Sequence, residues 1–327
     1  MKRILPALGL FLLAPLVAEY LLGNVSIVEF GALLFLAPLY GGGALLIREI
    51  ARRAGRGWPT ILLLAAAYGI VEEGLATQSL FNPDYVGLRL LDTAYVPALG
   101  IGAWWTIYVI TLHTVWSIAV PIVLVETFAG DRKPWLGRLG LGVVAALYLA
   151  GVAVNVIFAV STSGFTATPA QLALAAAAVV VLVLAAFVIG RRPTNVSGPA
   201  AAPPNAWLVG LVSLIACSFF VWFSAAGRGL GWLAVIIFLA LFAAMIMLVR
   251  LWSRGRSWGP QHKLALAGGA LLSYAWHAFG ASPTVGTGGP TALLGNAIFA
   301  AGALLLLALA IRHCRRAVTQ PDPTMIT

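Results

Sequence analysis

Apolar runs of about twenty residues follow one another along almost the whole sequence. Of the 327 residues, 61% are hydrophobic and only 9% are charged. A run of this length matches the roughly 30 Å hydrocarbon thickness of a bilayer, so the chain has little room for a soluble catalytic domain. We predict an all-α, polytopic transmembrane bundle of ten helices, at residues 4–23, 27–47, 59–80, 101–125, 139–160, 169–190, 206–225, 231–250, 264–282 and 293–311.

Basic residues lie in short clusters between the apolar runs. If both termini are cytoplasmic, 18 of the 20 Lys and Arg residues face the cytoplasm, and only Arg89 and Arg228 lie outside. This is the positive-inside pattern, so the net charge of +10 indicates membrane lipids with anionic headgroups as partners, and not nucleic acid. We predict a multi-pass protein of a bacterial inner membrane. Its first run is either an uncleaved helix or a signal peptide with Ala18 before the cleavage site.

Residues 191–205 are rich in proline, alanine and small polar residues, which is typical of a flexible linker. This linker is predicted to divide the chain into a six-helix membrane half, residues 1–190, and a four-helix membrane half, residues 206–312. Residues 313–327 form a basic cytoplasmic tail. Nine of the ten acidic residues precede position 132, so chemistry that needs carboxylates belongs to the first half.

Two adjacent glutamates, Glu72 and Glu73, lie about two thirds of the way along the third run. Insertion of each charge into hydrocarbon costs about 2.5–3.5 kcal/mol, so a function or a partner must retain them there. His113 lies in the middle of the fourth run, at nearly the same depth, and consecutive helices are antiparallel. We therefore predict that His113 contacts the pair. The alternative is a structural carboxylate pair that is neutralised by a proton or by a cation.

Further polar groups are expected in the outer half of the membrane. Asn155 on the fifth helix either belongs to the site or makes an interhelical hydrogen bond. His277 on the ninth helix, among aromatic residues, either belongs to the site or is a packing residue. The external loop at residues 81–100 either caps the third and fourth helices from outside or is an ordinary interfacial loop.

The other acidic residues are expected at the membrane surfaces. Glu19 and Glu29, near the outer ends of the first two helices, can reach water or line an access path. Glu49 is expected to pair with Arg53, one turn later, on a solvated helix face. Glu126 is expected to be a surface charge in a short loop.

The Glu-Glu pair and the histidine of the next span resemble the CPBP superfamily, which contains the CAAX prenyl proteases and the bacteriocin-processing Abi proteins. The first motif of this superfamily, Glu-Glu-x-x-x-Arg, matches Glu72 and Glu73, but Thr77 occupies the arginine position. The second motif, Phe-x-x-x-His, matches His113, with Val109 at the phenylalanine position.

The third CPBP motif carries a histidine followed one turn later by Asn or Asp. His277 matches the histidine, but Ala281 follows it, so Asn155 would have to supply the amide. The resemblance implies a glutamate-dependent intramembrane hydrolase without a cofactor or metal. One carboxylate would activate water together with His113, and His277 and Asn155 would be donors to the oxyanion. The substrate would be a membrane-embedded peptide or a lipidated chain.

Two other functions fit the same residues. Protonatable groups inside the membrane are also typical of a proton-coupled transporter, although no internal repeat of the kind found in many transporters is visible. A membrane assembly or scaffold subunit would use the glutamate pair to bind a basic residue of a partner. Two glutamates and two histidines could also bind zinc, but no His-x-x-x-His spacing favours it. The substrate and the oligomeric state are not specified by these patterns.

Overall fold

The computed structural model describes residues 4–130, 132–190 and 202–319. Within this part the chain forms ten long helices, three single 3₁₀ turns (Tyr85–Gly87, Arg228–Leu230 and Ala278–Gly280) and one two-stranded antiparallel hairpin, β1 (Tyr95–Val96) and β2 (Ile101–Gly102). The helices are α1 (Ile4–Tyr20), α2 (Ile27–Arg53), α3 (Trp58–Ala76), α4 (Ala103–Ala129), α5 (Arg138–Ser163), α6 (Pro169–Ile189), α7 (Ala206–Ala226), α8 (Trp232–Ser253), α9 (Pro260–His277) and α10 (Pro290–Thr319).

The ten predicted apolar runs coincide with these ten helices. Eight of the described helices, α2 to α8 and α10, are long and apolar enough to cross a membrane, and α1 is a shorter apolar helix. Helix α9 begins with the polar residues Gln261, His262 and Lys263, and it packs against α7 and α10. The prediction of a helical membrane bundle is confirmed.

Residues from both predicted halves of the chain share one hydrophobic cluster. Trp116 of α4 stacks on Tyr274 of α9 with a centroid distance of 4.5 Å. Its indole Nε1 also donates to the Ala270 carbonyl at 2.7 Å. The two halves therefore pack against each other through aromatic contacts. Most of the predicted linker, residues 191–201, and residues 320–327 of the tail lie outside the described part, and the division into two halves stays a prediction.

Helix α3 ends at Ala76, four residues before the predicted end of the third run. The Thr77 amide donates to the Glu72 carbonyl at 2.8 Å, and Gln78 adopts a φ of 57°, which a helix cannot continue. Glu72 and Glu73 therefore lie in the last turns of α3, beside the chain that leaves it, and not well inside a longer helix.

Four stretches of the described helices have the wider π-helical hydrogen-bond pattern. Three of them contain a proline or lie within two residues of one: Pro15 in α1, Pro38 in α2 and Pro121 in α4. Proline has no backbone N–H, so the regular ladder is interrupted near it. The four stretches are Leu16–Tyr20, Ala37–Gly41, Val71–Ala76 and His113–Ala119.

The expectation that Glu49 lies on a solvated helix face is wrong. Glu49 does contact Arg53, at 3.4 Å, but its side chain is 0% exposed. The segment after α4 folds back over the C-terminal end of α2, and the Trp135 and Leu136 amides donate to the Glu49 carboxylate at 2.8 and 3.2 Å. Arg48, also 0% exposed, donates to it at 2.7 Å. The helix face is covered by a loop that is distant in sequence.

Glu126 is likewise not a free surface charge. Its Oε1 accepts hydrogen bonds from Arg48 Nε at 3.1 Å and Arg52 Nε at 2.8 Å, and its Oε2 accepts one from Arg52 Nη2 at 2.7 Å. The guanidinium of Arg48 lies 3.3 Å from the ring centroid of Trp135. An ion-pair network thus joins the C-terminal ends of α2 and α4.

The orientation of the bundle is testable with reporter fusions. We expect fusions at Gly164 and Thr287 to report a periplasmic location, because the positive-inside rule places the basic clusters on the other side. Fusions at Ser197 and Thr327, both outside the described residues, should report the cytoplasm. The measurement is paired alkaline phosphatase and green fluorescent protein activity, and a cytoplasmic result at Thr287 would overturn the predicted orientation.

Candidate functional site

His113 of α4 lies between the two glutamates of α3. Its Nε2 is 2.7 Å from Glu73 Oε1, and its Nδ1 is 3.2 Å from Glu72 Oε2. All three residues are buried, with exposed fractions of 6% for His113, 2% for Glu72 and 7% for Glu73. Gly69 of α3 permits this approach, because a Cβ there would lie 3.2 Å from the His113 Cβ. The contact between His113 and the glutamate pair, which was predicted from their similar depths in consecutive helices, is therefore present.

The imidazole has partners for both of its protonation states. A neutral ring carries one N–H, which donates from Nε2 to Glu73, while Ser117 Oγ, 3.1 Å from Nδ1, donates to the other nitrogen. A protonated ring donates from Nε2 to Glu73 and from Nδ1 to Glu72. His113 can therefore gain or lose a proton at Nδ1 without leaving a buried nitrogen unpaired.

Glu73 is held by several donors at once. Its carboxylate accepts hydrogen bonds from His113, from Thr77 Oγ1 at 3.0 Å and from the Ser79 hydroxyl. Ser79 is in turn positioned by the Trp105 indole, whose Nε1 lies 3.1 Å from Ser79 Oγ. Thr77, which occupies the arginine position of the CPBP motif, thus binds the glutamate directly. Glu73 is an anchored carboxylate that orients the imidazole.

Glu72 is bound less completely. Apart from the imidazole, its buried Oε2 has no hydrogen-bond partner of good geometry, and the same holds for the buried hydroxyl of Tyr68. The Tyr68 side chain faces Glu72, and its ring lies edge-on to His113 at 5.9 Å. Buried polar atoms are normally satisfied by protein or by ordered water. Glu72 and Tyr68 therefore have the capacity to bind a water molecule or a substrate group.

The polar cluster extends to Glu19, which the sequence analysis placed at the interface or on an access path. The Tyr40 hydroxyl donates a short hydrogen bond to the Glu19 carboxylate, and Asn24 Nδ2 donates to it at 2.6 Å. The Tyr40 ring lies 6.0 Å from that of His113. Tyr40 was missed because a tyrosine in an apolar run resembles a packing residue. Its position two residues after Pro38 was the available signal.

Every described π-helical stretch carries a member of this cluster. Glu19, Tyr40 and His113 each lie in a different one, and the glutamate pair lies in the fourth. A π-helical turn inserts a residue and redirects the side chains that follow, and such turns are frequent at functional sites. Four separate helices therefore depart from regular α-geometry where their side chains converge.

The segment between α3 and α4, residues 77–102, covers the cluster at the end of the bundle where α3 ends. Ser79 is fully buried against Glu73, and Gln78 Oε1 accepts a hydrogen bond from the Ala167 amide at 2.6 Å. Tyr85 is half-buried, and burial, together with the carboxylates of Glu73 and Glu19, raises the pKa of its hydroxyl, which therefore remains a donor. This loop was expected either to cap the third and fourth helices or to be an ordinary interfacial loop. The contacts of Gln78 and Ser79 support a cap over the cluster.

The capping segment holds an unusual concentration of strained backbone. The described non-glycine residues with positive φ all lie in it: Gln78, Val86, Arg89 and Ala94. Such conformations cost of order 1–3 kcal/mol each and persist where the surrounding structure imposes them. A cavity of about 390 Å³ lies under the outer part of this segment, lined by Phe81, Pro83, Leu91, Asp92, Tyr95, Gly100 and Gln171.

The structure does not bring Asn155 or His277 into the cluster. Asn155 Nδ2 donates to the Gly151 carbonyl of its own helix at 2.9 Å. His277 ends α9, with its ring edge-on to Trp276. The depth of a residue can be counted from the sequence, but the helix face that it occupies cannot. The geometry gives no support to their expected role as oxyanion donors.

Three ligand atoms, one each from Glu72, Glu73 and His113, lie within 4.8 Å of one another. Two carboxylates and an imidazole are a ligand set that zinc accepts. In the present arrangement both ring nitrogens face carboxylate oxygens, so a protonated imidazole can supply the positive charge that a metal ion would supply. The sequence prediction of a metal-free site remains to be tested.

The fold and the site define a polytopic helical membrane protein with a buried cluster of carboxylates and an imidazole. The chain belongs to a family described as an uncharacterized membrane protein family, whose model matches residues 8–319. No curated protein and no solved structure matches the chain. The CPBP superfamily is not the family matched, so the resemblance in the motifs stays a prediction.

Proposed function

We propose that the protein is a glutamate-dependent intramembrane hydrolase. The observation that supports this most strongly is the unequal binding of the two glutamates. Glu73 is anchored by three donors, whereas Glu72 Oε2 makes no hydrogen bond of good geometry, although His113, Tyr40 and Tyr68 lie near Glu72. A general base needs a free lone pair within reach of water, and an orienting group does not. Glu72 is the proposed base, and Glu73 positions His113.

The proposed reaction is attack of water on an amide or ester carbonyl. Glu72 accepts a proton from water as the water oxygen forms a bond to the carbonyl carbon. The oxyanion that results is stabilised by the charged His113 and by the Tyr68 hydroxyl, which faces Glu72 and makes no hydrogen bond of good geometry. The carbon–nitrogen or carbon–oxygen bond then breaks, and the leaving group takes the proton from Glu72. Tyr68 replaces Asn155 and His277 in this role.

The proposed substrate is a membrane-embedded peptide or a lipidated chain. The carboxylates lie among membrane helices and under the segment 77–102, so a substrate reaches them from the bilayer or from the outer face when this segment moves. The strained backbone of the segment supports a movable cap. The distribution of basic residues supports a location in a bacterial inner membrane.

Proton-coupled transport is a second candidate because of one observation. Glu19, Tyr40, His113 and the glutamate pair form a continuous series of protonatable groups across α1 to α4, as a proton pathway requires. A scaffold function has less support, because His113 of the same chain already supplies the cation that a partner would have to supply.

Reconstituted protein distinguishes the hydrolase from the carrier. We expect wild-type protein in liposomes to cleave members of a library of single-span peptides, with or without a prenylated cysteine. Cleavage should continue with a metal chelator, and an internal pH dye should show no substrate-driven proton uptake. Cleavage products are measured by mass spectrometry.

The variant Glu19→Gln gives the opposite result for the two functions. For a hydrolase it should retain cleavage within about tenfold, because Glu19 is not the proposed base. For a carrier it should abolish proton uptake. The matched control is Glu29→Gln, which removes a carboxylate that is exposed and lies outside the cluster. The hydrolase proposal would be refuted if the wild type took up protons without cleaving any peptide and Glu19→Gln lost this uptake. The proposal of a metal-free site would be refuted if the chelator abolished cleavage.

A further inference from the structure

A second cavity lies at the opposite end of the bundle from the carboxylate cluster. Its volume is about 240 Å³, and it is enclosed by the first turn of α3, the last turns of α4, the first turn of α9 and the last turns of α10. Trp58, at the start of α3, marks the membrane interface. The polar and interfacial side chains that line the cavity are Trp58, Glu126, Thr127, Arg132, Lys263 and His313.

Two cations that line the cavity, Lys263 and Arg132, have no counter-ion among the described residues. Lys263 is half-buried, and no carboxylate of a described residue lies within ion-pair distance of Lys263 or Arg132. The charges that face Lys263 are Arg132, Arg52 and Glu126. Lys263 and the exposed Arg132 line the same partly enclosed space, and like charges there repel each other unless an anion lies between them.

Glu126 lines the cavity but does not neutralise these cations. Both of its oxygens are occupied by Arg48 and Arg52, at 2.7 to 3.1 Å. Its charge is therefore compensated inside the network that joins α2 and α4. The remaining positive charge belongs to Arg132 and Lys263, and His313 adds a further donor at the rim, where its ring packs on Phe128.

The apolar part of the lining restricts the kind of anion. Val123, Pro260 and Cys314 contribute apolar surface beside the cations. The site lies at the level of helix ends that carry the interfacial tryptophan and basic clusters, where lipid headgroups are found. A phosphate ester with a short carbon backbone matches both the charge and the apolar wall, whereas a bare inorganic anion would match only the charge.

We infer that this cavity is a binding site for the phosphate group of a glycerophosphate, presented either by an anionic phospholipid or by a soluble phosphate ester. The phosphate lies between Lys263 and Arg132, and the glycerol portion contacts the apolar wall. The site is independent of the proposed hydrolytic reaction, because it uses none of the residues of the carboxylate cluster.

Calorimetric titration of the purified full chain in a neutral detergent tests this site. We expect short-chain phosphatidylglycerol to bind with a stoichiometry near one, and short-chain phosphatidylcholine not to bind measurably. Glycerol 3-phosphate is titrated in parallel: binding of the lipid alone assigns the site to phospholipid, and comparable binding of both assigns it to soluble esters as well. Absence of binding by either compound would overturn the inference.

Paired charge-removing variants show whether the cavity is responsible. The double variant Lys263→Gln with Arg132→Gln should weaken binding of the lipid by about tenfold or more, since each basic residue near an anionic headgroup contributes to the binding free energy. The control, Arg254→Gln with Arg256→Gln, removes two exposed cations from the α8–α9 loop and should leave affinity within about twofold. Equal weakening by the two pairs would show only general electrostatic attraction and would contradict a built site. Thermal melting of both pairs verifies that they are folded.

Discussion

Glu72→Gln should lower hydrolysis of a membrane substrate by about 10²–10⁴-fold, the range that general-base catalysis contributes. Glutamine keeps the volume of the side chain and one carbonyl acceptor, but it cannot take a proton from water. The substrate should still bind, so kcat should fall while KM changes little. The measurement is the initial rate of cleavage in liposomes at saturating substrate.

Glu73→Gln provides the comparison within the same helical turn. Glutamine keeps only one of the two oxygens, so it loses either the acceptor for His113 or the shared acceptor for Thr77 and Ser79. Activity should therefore fall together with thermal stability. Glu72→Gln should leave the melting temperature unchanged or raise it, because a buried charge has been removed. Full activity of Glu72→Gln would exclude Glu72 as the base, and loss of folding in both variants would indicate a structural pair.

Arg48→Met should lower the free energy of unfolding by about 3–5 kcal/mol, the effect expected when one partner of a buried ion pair is removed. Arg48 is 0% exposed and contacts Glu49 at 2.7 Å and Glu126 at 3.1 Å. Methionine fills part of the space but leaves Glu49 buried with only Arg53 as its cation. The measurement is reversible unfolding in mixed micelles, monitored by tryptophan fluorescence.

Arg53→Met is the matched control, because Arg53 contacts the same glutamate. Its side chain is 32% exposed, and its distance to Glu49 is 3.4 Å, so its loss should cost about 1 kcal/mol or less. The double variant Arg48→Met with Glu49→Met should recover part of the stability lost in Arg48→Met, since no buried charge is then left unpaired. Equal losses in the two single variants would refute the assignment of a buried network.

The amino-acid sequence determined the class of fold and the centre of the candidate site. Hydrophobic length alone is sufficient to locate membrane helices, because each must match the bilayer thickness. The distribution of basic residues predicts their orientation by the same kind of local rule. The contact between His113 and the glutamate pair could also be predicted, because the two helices are consecutive and the rise per residue of a helix gives the depth of each side chain.

The surroundings of these residues were decided only by the tertiary structure. Glu49 is buried by a loop more than eighty residues away, and Glu19 reaches the site through Tyr40. Asn155 donates to its own helix and His277 lies against Trp276, so neither side chain joins the cluster. The rotation of a helix about its own axis depends on the side chains of its neighbours, and a π-helical turn or a proline changes it further. Depth is a local property of the sequence, whereas the direction of a side chain is a property of the packed bundle.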